Sequence, residues 1–113
     1  MDEEAQAAAA RLVRRLKGGY TVTIAESCTG GLLASTLTDI AGASAWFNQA
    51  WVTYSYEAKI QELNVSREIL EKKGAVSAEV AIQMAQGALA RANADIAISI
   101  TGIAGPGNDG TTK

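Results

Sequence analysis

A chain of 113 residues with a formal net charge of -2 is sized for one domain with a small core. That charge argues against non-specific binding to nucleic acid or an anionic membrane, no apolar run has the length of a membrane span, and the acidic, alanine-rich start is not a signal peptide. One cysteine and no histidine exclude an internal disulfide, a Ser-His-Asp triad and a Cys-His dyad within the chain, and leave only carboxylates for zinc.

The expectation is therefore a cytoplasmic protein without metal or cofactor. Any hydrolytic chemistry has to take its base from lysine, tyrosine or a carboxylate.

In chain order, a predicted amphipathic helix runs from about Glu3 to Lys17, with Ala5, Ala9, Leu12, Val13 and Leu16 on one face and Gly18-Gly19 closing it. Tyr20 to Ala25 reads as a first strand, β-branched and bounded by turn residues. "LLASTLTDIAG" after it reads as a helix ending near Gly42, and "ASAWF" as a connection. Trp46, Phe47 and Trp51 are expected in the core or at a subunit contact rather than as a base-stacking platform. Asn48 to Ser55 is the second predicted strand, "YEAKIQELN" a short helix, and Ser66 the cap of another that stops at Gly74. The sequon-like Asn64-Val65-Ser66 is thereby accounted for. Ser77 caps a longer helix in which Val80, Met84 and Ala88 recur every four residues, and Asp95 to Gly102 is a third strand, apolar enough to be central.

Strands alternating with helices predict an α/β layered domain with parallel pairing. Ligands of such sheets bind beyond the carboxyl ends of the strands. Three polar clusters fall there: Glu26 to Gly31, Thr53-Tyr54-Ser55, and Thr101 to Pro106. At the first, the start of the following helix offers N–H groups for a phosphate or an oxyanion. Gly30 and Gly31 allow close approach to the backbone, and Ser27 is the nucleophile candidate. The alternative is that Ser27 or Thr29 only caps the helix. Lys59, four residues after Ser55, serves as a base only if burial or positive charge lowers its pKa; otherwise it is a solvated helix lysine. Tyr54 either hydrogen-bonds such a pair or packs its ring. The glycine-proline turn at Thr101, Gly102 and Gly105 is a weak cradle signal and is not a Walker motif.

"TIAESCTGGLLAS", "GASAWFNQAWVTYSYEAK", "GAVSAEVAIQMAQGAL" and "ADIAISITGIAGP" occur in this order. Together they resemble the CinA C-terminal domain family, which includes the nicotinamide-nucleotide amidohydrolases (nicotinamide mononucleotide deamidases). The resemblance runs from about Tyr20 onward. It implies a three-layer α/β/α sandwich with a mostly parallel, mixed sheet. It also implies hydrolysis of nicotinamide mononucleotide to nicotinate mononucleotide and ammonia, in pyridine nucleotide salvage, without a metal. Carried over, the family serine is Ser27 and the lysine is Lys59, with Tyr54 in the same segment as a third catalytic candidate. Thr29, Gly30, Gly31, Ser55, Thr101, Gly102 and Gly105 become the substrate-binding candidates.

Tyr56 stands where the family usually has a small polar residue. The family domain also continues with a further strand after Lys113, so residues 1–113 are expected to be one domain, incomplete at its C-terminus and truncated after the third strand. The opening methionine and acidic first helix favour a free-standing protein over half of a larger one. A homo-oligomer is expected, with no nucleic-acid or membrane partner. The competing readings are a non-catalytic nucleotide-binding module and an inactive fragment prone to assemble through exposed sheet edges.

Overall fold

The computed structural model describes residues 19–102 together with Arg11, Arg14 and Leu16. Those last three are helical, and Leu16 is buried in the core. The remainder of the predicted first helix lies outside the described residues. Gly19 turns the chain away with φ +99°, and its N–H donates to the Leu16 carbonyl at 3.1 Å.

The elements that follow are β1 (Val22–Glu26), α1 (Leu32–Thr38), a 3-10 turn (Ala43–Ala45), β2 (Phe47–Val52), α2 (Tyr56–Leu63), α3 (Arg67–Lys73), α4 (Ala78–Ala92) and β3 (Ile96–Ile100). The described strands form one sheet in the order β2-β1-β3, and both pairings are parallel. In the middle, β1 is buried along its whole length, as a strand covered on both faces must be. The third strand, expected at the centre, flanks β1 and is only half-buried among the described residues.

Side chains alternate across a strand, and β1 uses both faces for packing. Val22 and Ile24 join Leu16, Leu37 and Trp46 in one core, against α1. Ala25, on the opposite face, joins Leu63, Val65, Leu70, Val80, Met84 and Ala88, the apolar residues of α2, α3, α4 and their connections. The result is a layer on each face of the sheet. The four-residue repeat of Val80, Met84 and Ala88 is the stripe that α4 lays on the sheet, each residue 0% exposed.

Boundaries moved where local chemistry intervened. The helix α1 stops at Thr38 rather than near Gly42, because Gly42, at φ +81°, starts the separate 3-10 turn. The second strand stops at Val52, since Ser55 is already the N-cap of α2, its hydroxyl accepting the Ala58 N–H at 3.1 Å. Ser66 and Ser77 cap α3 and α4 as expected, accepting from the Ile69 and Val80 N–H groups.

Gly87 marks the closest approach of α4 to the end of α2: an added Cβ would land on the Leu63 main chain. Since the obstacle is backbone rather than a flexible side chain, Gly87→Ala is expected to destabilise the fold by about 1–3 kcal/mol, the usual range for forced overpacking. Urea unfolding of the variant beside the parent chain measures this; an equal midpoint would refute the close crossing.

Candidate functional site

Two backbone bonds carry the parallel pairing one step past the strand ends. The Ser27 N–H donates to the Ile100 carbonyl at 3.0 Å, and the Thr53 N–H to the Glu26 carbonyl at 2.9 Å. Ser27, Thr53 and the end of β3 are thus fixed side by side at the carboxyl edge of the sheet, where the layered fold places ligands. Alternation then sends Glu26 toward α1 and Ser27 toward the α2 layer.

Lys59 lies in the first turns of α2, and its side chain turns back under the end of β2. The residue is 0% exposed. Its Nζ reaches the Ser27 Oγ at 3.0 Å, the Thr53 carbonyl at 2.8 Å and the Tyr54 carbonyl at 3.0 Å. Burial pushes the Lys59 pKa below its ordinary 10.5, opposed by the electrostatic attraction of the nearby Cys28 sulfur.

The partner set accommodates the amine in either protonation state. Carbonyl oxygens only accept, so the two carbonyls engage two N–H groups, and a deprotonated amine has only two. Its lone pair then faces Ser27, whose hydroxyl is able to donate. Protonated, the same nitrogen donates to all three. The arrangement can therefore take a proton from Ser27 and return it without moving a heavy atom.

The other sequence candidates divide by what their groups already do. The Tyr54 residue is 67% exposed, and what it gives Lys59 is its carbonyl. Thr29 donates its hydroxyl to Glu26 Oε1 at 2.5 Å. Ser55 is engaged as the α2 cap, and the Thr101 hydroxyl donates to the Ala75 carbonyl at 2.8 Å. Gly30 and Gly31 make the turn with φ +62° and +104°, a conformation that favours glycine. Gly102 lies against Cys28, where an added Cβ would come within 3.2 Å of the Sγ. Gly105 and the rest of the glycine-proline turn lie outside the described residues.

One expectation is corrected. The start of α1 is not an open anion site: the N–H groups of Leu33 and Ala34 donate to the Glu26 carboxylate at 3.0 and 2.9 Å. Neither Ser27 nor Thr29 is the cap. Among the described residues, the N–H groups of Cys28, Thr29 and Gly31 are the donors of this turn left without a partner. Sequence reasoning gave Glu26 no role, although a carboxylate at an inward strand position just before a helix start is a signal for one. Thr53, named in the second polar cluster, was likewise given no role; its buried hydroxyl has no partner among the described residues.

The model of the CinA C-terminal domain family matches residues 4–113. The chain belongs to the CinA C-terminal domain family. It is 60% identical over 88 residues to the nicotinamide-nucleotide amidohydrolase PncC of Escherichia coli (strain K12), covering 78% of this chain and 53% of that protein. A CinA-like protein of Geotalea daltonii is 56% identical over 90 residues, 80% of this chain and 22% of its own length. The chain thus spans about half the length, or less, of these curated relatives.

Among solved structures, the competence/damage inducible protein CihA from Agrobacterium tumefaciens superimposes with a TM-score of 0.91 at 46% identity, covering 96% of this chain and 66% of that one. A competence damage-inducible protein A from Klebsiella pneumoniae gives 0.88 at 44% identity, covering 95% and 68%. This CinA-family chain therefore has the α/β architecture of its relatives. Among its described residues, no helix is long and apolar enough to cross a membrane.

The lowered Lys59 pKa has a consequence for stability. Between the folded pKa and 10.5 the unfolded chain holds a proton on Lys59 that the folded chain has released. Stability should therefore rise with pH across that window, and the penalty for burying the charge is present in full below it. Subtracting the pH–stability curve of Lys59→Met from that of the parent chain isolates the contribution. A flat difference through the alkaline range would show that Lys59 keeps its ordinary pKa.

Proposed function

We propose that the protein is an amidohydrolase that converts nicotinamide mononucleotide to nicotinate mononucleotide and ammonia, with Ser27 as nucleophile and Lys59 as general base and acid. The observation that carries this reading is the buried Lys59 amine, 3.0 Å from the Ser27 hydroxyl, in a chain without histidine. The named activity of the Escherichia coli relative supports the reaction class.

In the first half-reaction the Ser27 proton passes to Lys59 Nζ as Oγ bonds to the carboxamide carbon. The resulting oxyanion takes hydrogen bonds from the Cys28 and Thr29 N–H groups. Lys59 then gives the proton to the departing nitrogen, the C–N bond breaks, and ammonia leaves an ester on Ser27. In the second half, water gives a proton to Lys59 and its oxygen bonds to the same carbon. The ester C–O bond breaks, and the proton returns to Ser27.

Burial serves this scheme directly. An exposed lysine is protonated at neutral pH and has no lone pair to offer, whereas desolvation favours the neutral form. The chemistry needs no metal, and a reducing cytoplasm suits a protein with its thiol beside the nucleophile. The substrate is a small molecule, and self-association through the sheet edges is part of the same reading.

Ser27→Ala is expected to lower ammonia release from nicotinamide mononucleotide by on the order of 10³-fold or more, and Lys59→Met by roughly 10²- to 10⁴-fold. In the parent protein kcat/KM should rise with pH through an apparent pKa below 10.5, because the neutral amine is the active form. Near-parental ammonia release by the alanine variant would remove Ser27 from the chemistry. An unchanged pH limb in the methionine variant would remove Lys59.

A further inference from the structure

Glu26 is fully buried, and no lysine or arginine pairs with it among the described residues. A carboxylate in that position is expensive unless hydrogen bonds compensate it. Here three do: the Thr29 hydroxyl and the Leu33 N–H converge on Oε1, and the Ala34 N–H meets Oε2. Two of these donors are at the start of α1, where the helix dipole also favours a negative group.

Every one of these contacts brackets the nucleophile's turn. Glu26 immediately precedes Ser27, and its bonds reach forward three, seven and eight residues. Inside that span lie Gly30 and Gly31, both at positive φ. Their lack of side chains leaves the turn few restraints of its own. The turn closes on itself through the Gly30 N–H to the Ser27 carbonyl at 3.1 Å and the Leu32 N–H to the Thr29 carbonyl at 3.2 Å. Glu26 supplies what those bonds do not, a tie from the rigid central strand to both the turn and the helix. It faces α1 while Ser27 faces Lys59, so its effect on the nucleophile passes through the backbone.

We propose that Glu26 is a positioning residue, which with the Thr29 hydroxyl clasps the turn from Ser27 to Gly31 and fixes the nucleophile at Lys59 and beside the unpartnered Cys28 and Thr29 N–H groups. The proposal builds on the assignment of Ser27 as nucleophile. It does not depend on the identity of the amide substrate.

The test follows the reactivity of Ser27 itself, with a small fluorophosphonate as probe and intact mass as readout, beside ammonia release from nicotinamide mononucleotide. Glu26→Gln keeps the shape but presents an amide in place of one accepting oxygen. It should slow Ser27 labelling at least 10-fold at a temperature where circular dichroism shows the variant folded, and lower kcat similarly with KM within about threefold. Thr29→Val should slow labelling in the same direction, and Thr29→Ser, which restores the hydroxyl, should return it to within about threefold of the parent. This pair reads the clasp even where Glu26→Gln proves too unstable to assay. Slowed labelling without any ammonia release in the parent protein would sink the proposed substrate and uphold the clasp. Parental labelling rates in a folded Glu26→Gln, or equal rates in Thr29→Val and Thr29→Ser, would overturn it.

Discussion

A primary amine shut away from water must find all its hydrogen-bond partners in the protein, and Lys59 finds them where two parallel strands end. Two are the carbonyls of Thr53 and Tyr54, main-chain groups freed because β2 has stopped and α2 has not begun. The third is Ser27, delivered by the strand next door. Extending β2 would consume those carbonyls in a ladder. Starting α2 later would carry Lys59 out of reach. The Ser55 cap, which ends one element and opens the next, is therefore as much part of the site as the side chains that touch.

The alternation of β1 divides labour at its carboxyl end. Consecutive residues of a strand look to opposite faces, so Glu26 and Ser27 cannot share a partner. One face secures the helix that follows, and the other meets the amine. A positive helix end beside Ser27 would ordinarily draw anions from solution. Glu26 fills that end from within and leaves the turn's own Cys28 and Thr29 N–H groups without a partner among the described residues. The carboxylate and the amine of the site are thus held apart by the sheet itself, with Glu26 on one side and Lys59 on the other.

Much of this was legible in the sequence. The three strands, the Ser66 and Ser77 caps and the stripe of Val80, Met84 and Ala88 follow from period and capping chemistry. The missing histidine narrowed the base to a few residue types and left Lys59 in contention. Ser27 was singled out by its place at the strand-to-helix corner and by the family motif, not by residue type. Ser27, Thr29, Ser55 and Thr101 look alike as small polar residues beyond strand ends, because a hydroxyl that caps and one that reacts are the same group in different company. Glu26, at the head of the first cluster, was given no role for a related reason. A glutamate at the end of an apolar run reads as the point where the strand meets water, and only the fold brings the start of α1 back over it.

Hydrogen-bond accounting makes the distinction that residue type does not. Ser55 is engaged by the N–H it caps, Thr101 by a carbonyl of the segment before α4, and Thr29 by Glu26. Each of these hydroxyls has a structural partner, and using it chemically would mean breaking a bond that holds an element in place. Ser27 differs because its partner is a titratable amine whose charge burial disfavours. The bond between them can reverse its direction when the proton moves, with both nitrogen and oxygen staying where the strands put them. A buried polar contact is usually valued for fixing a structure. This one keeps its geometry in either protonation state, and that property is what the proposed acyl transfer asks of a pair of side chains at the edge of a sheet.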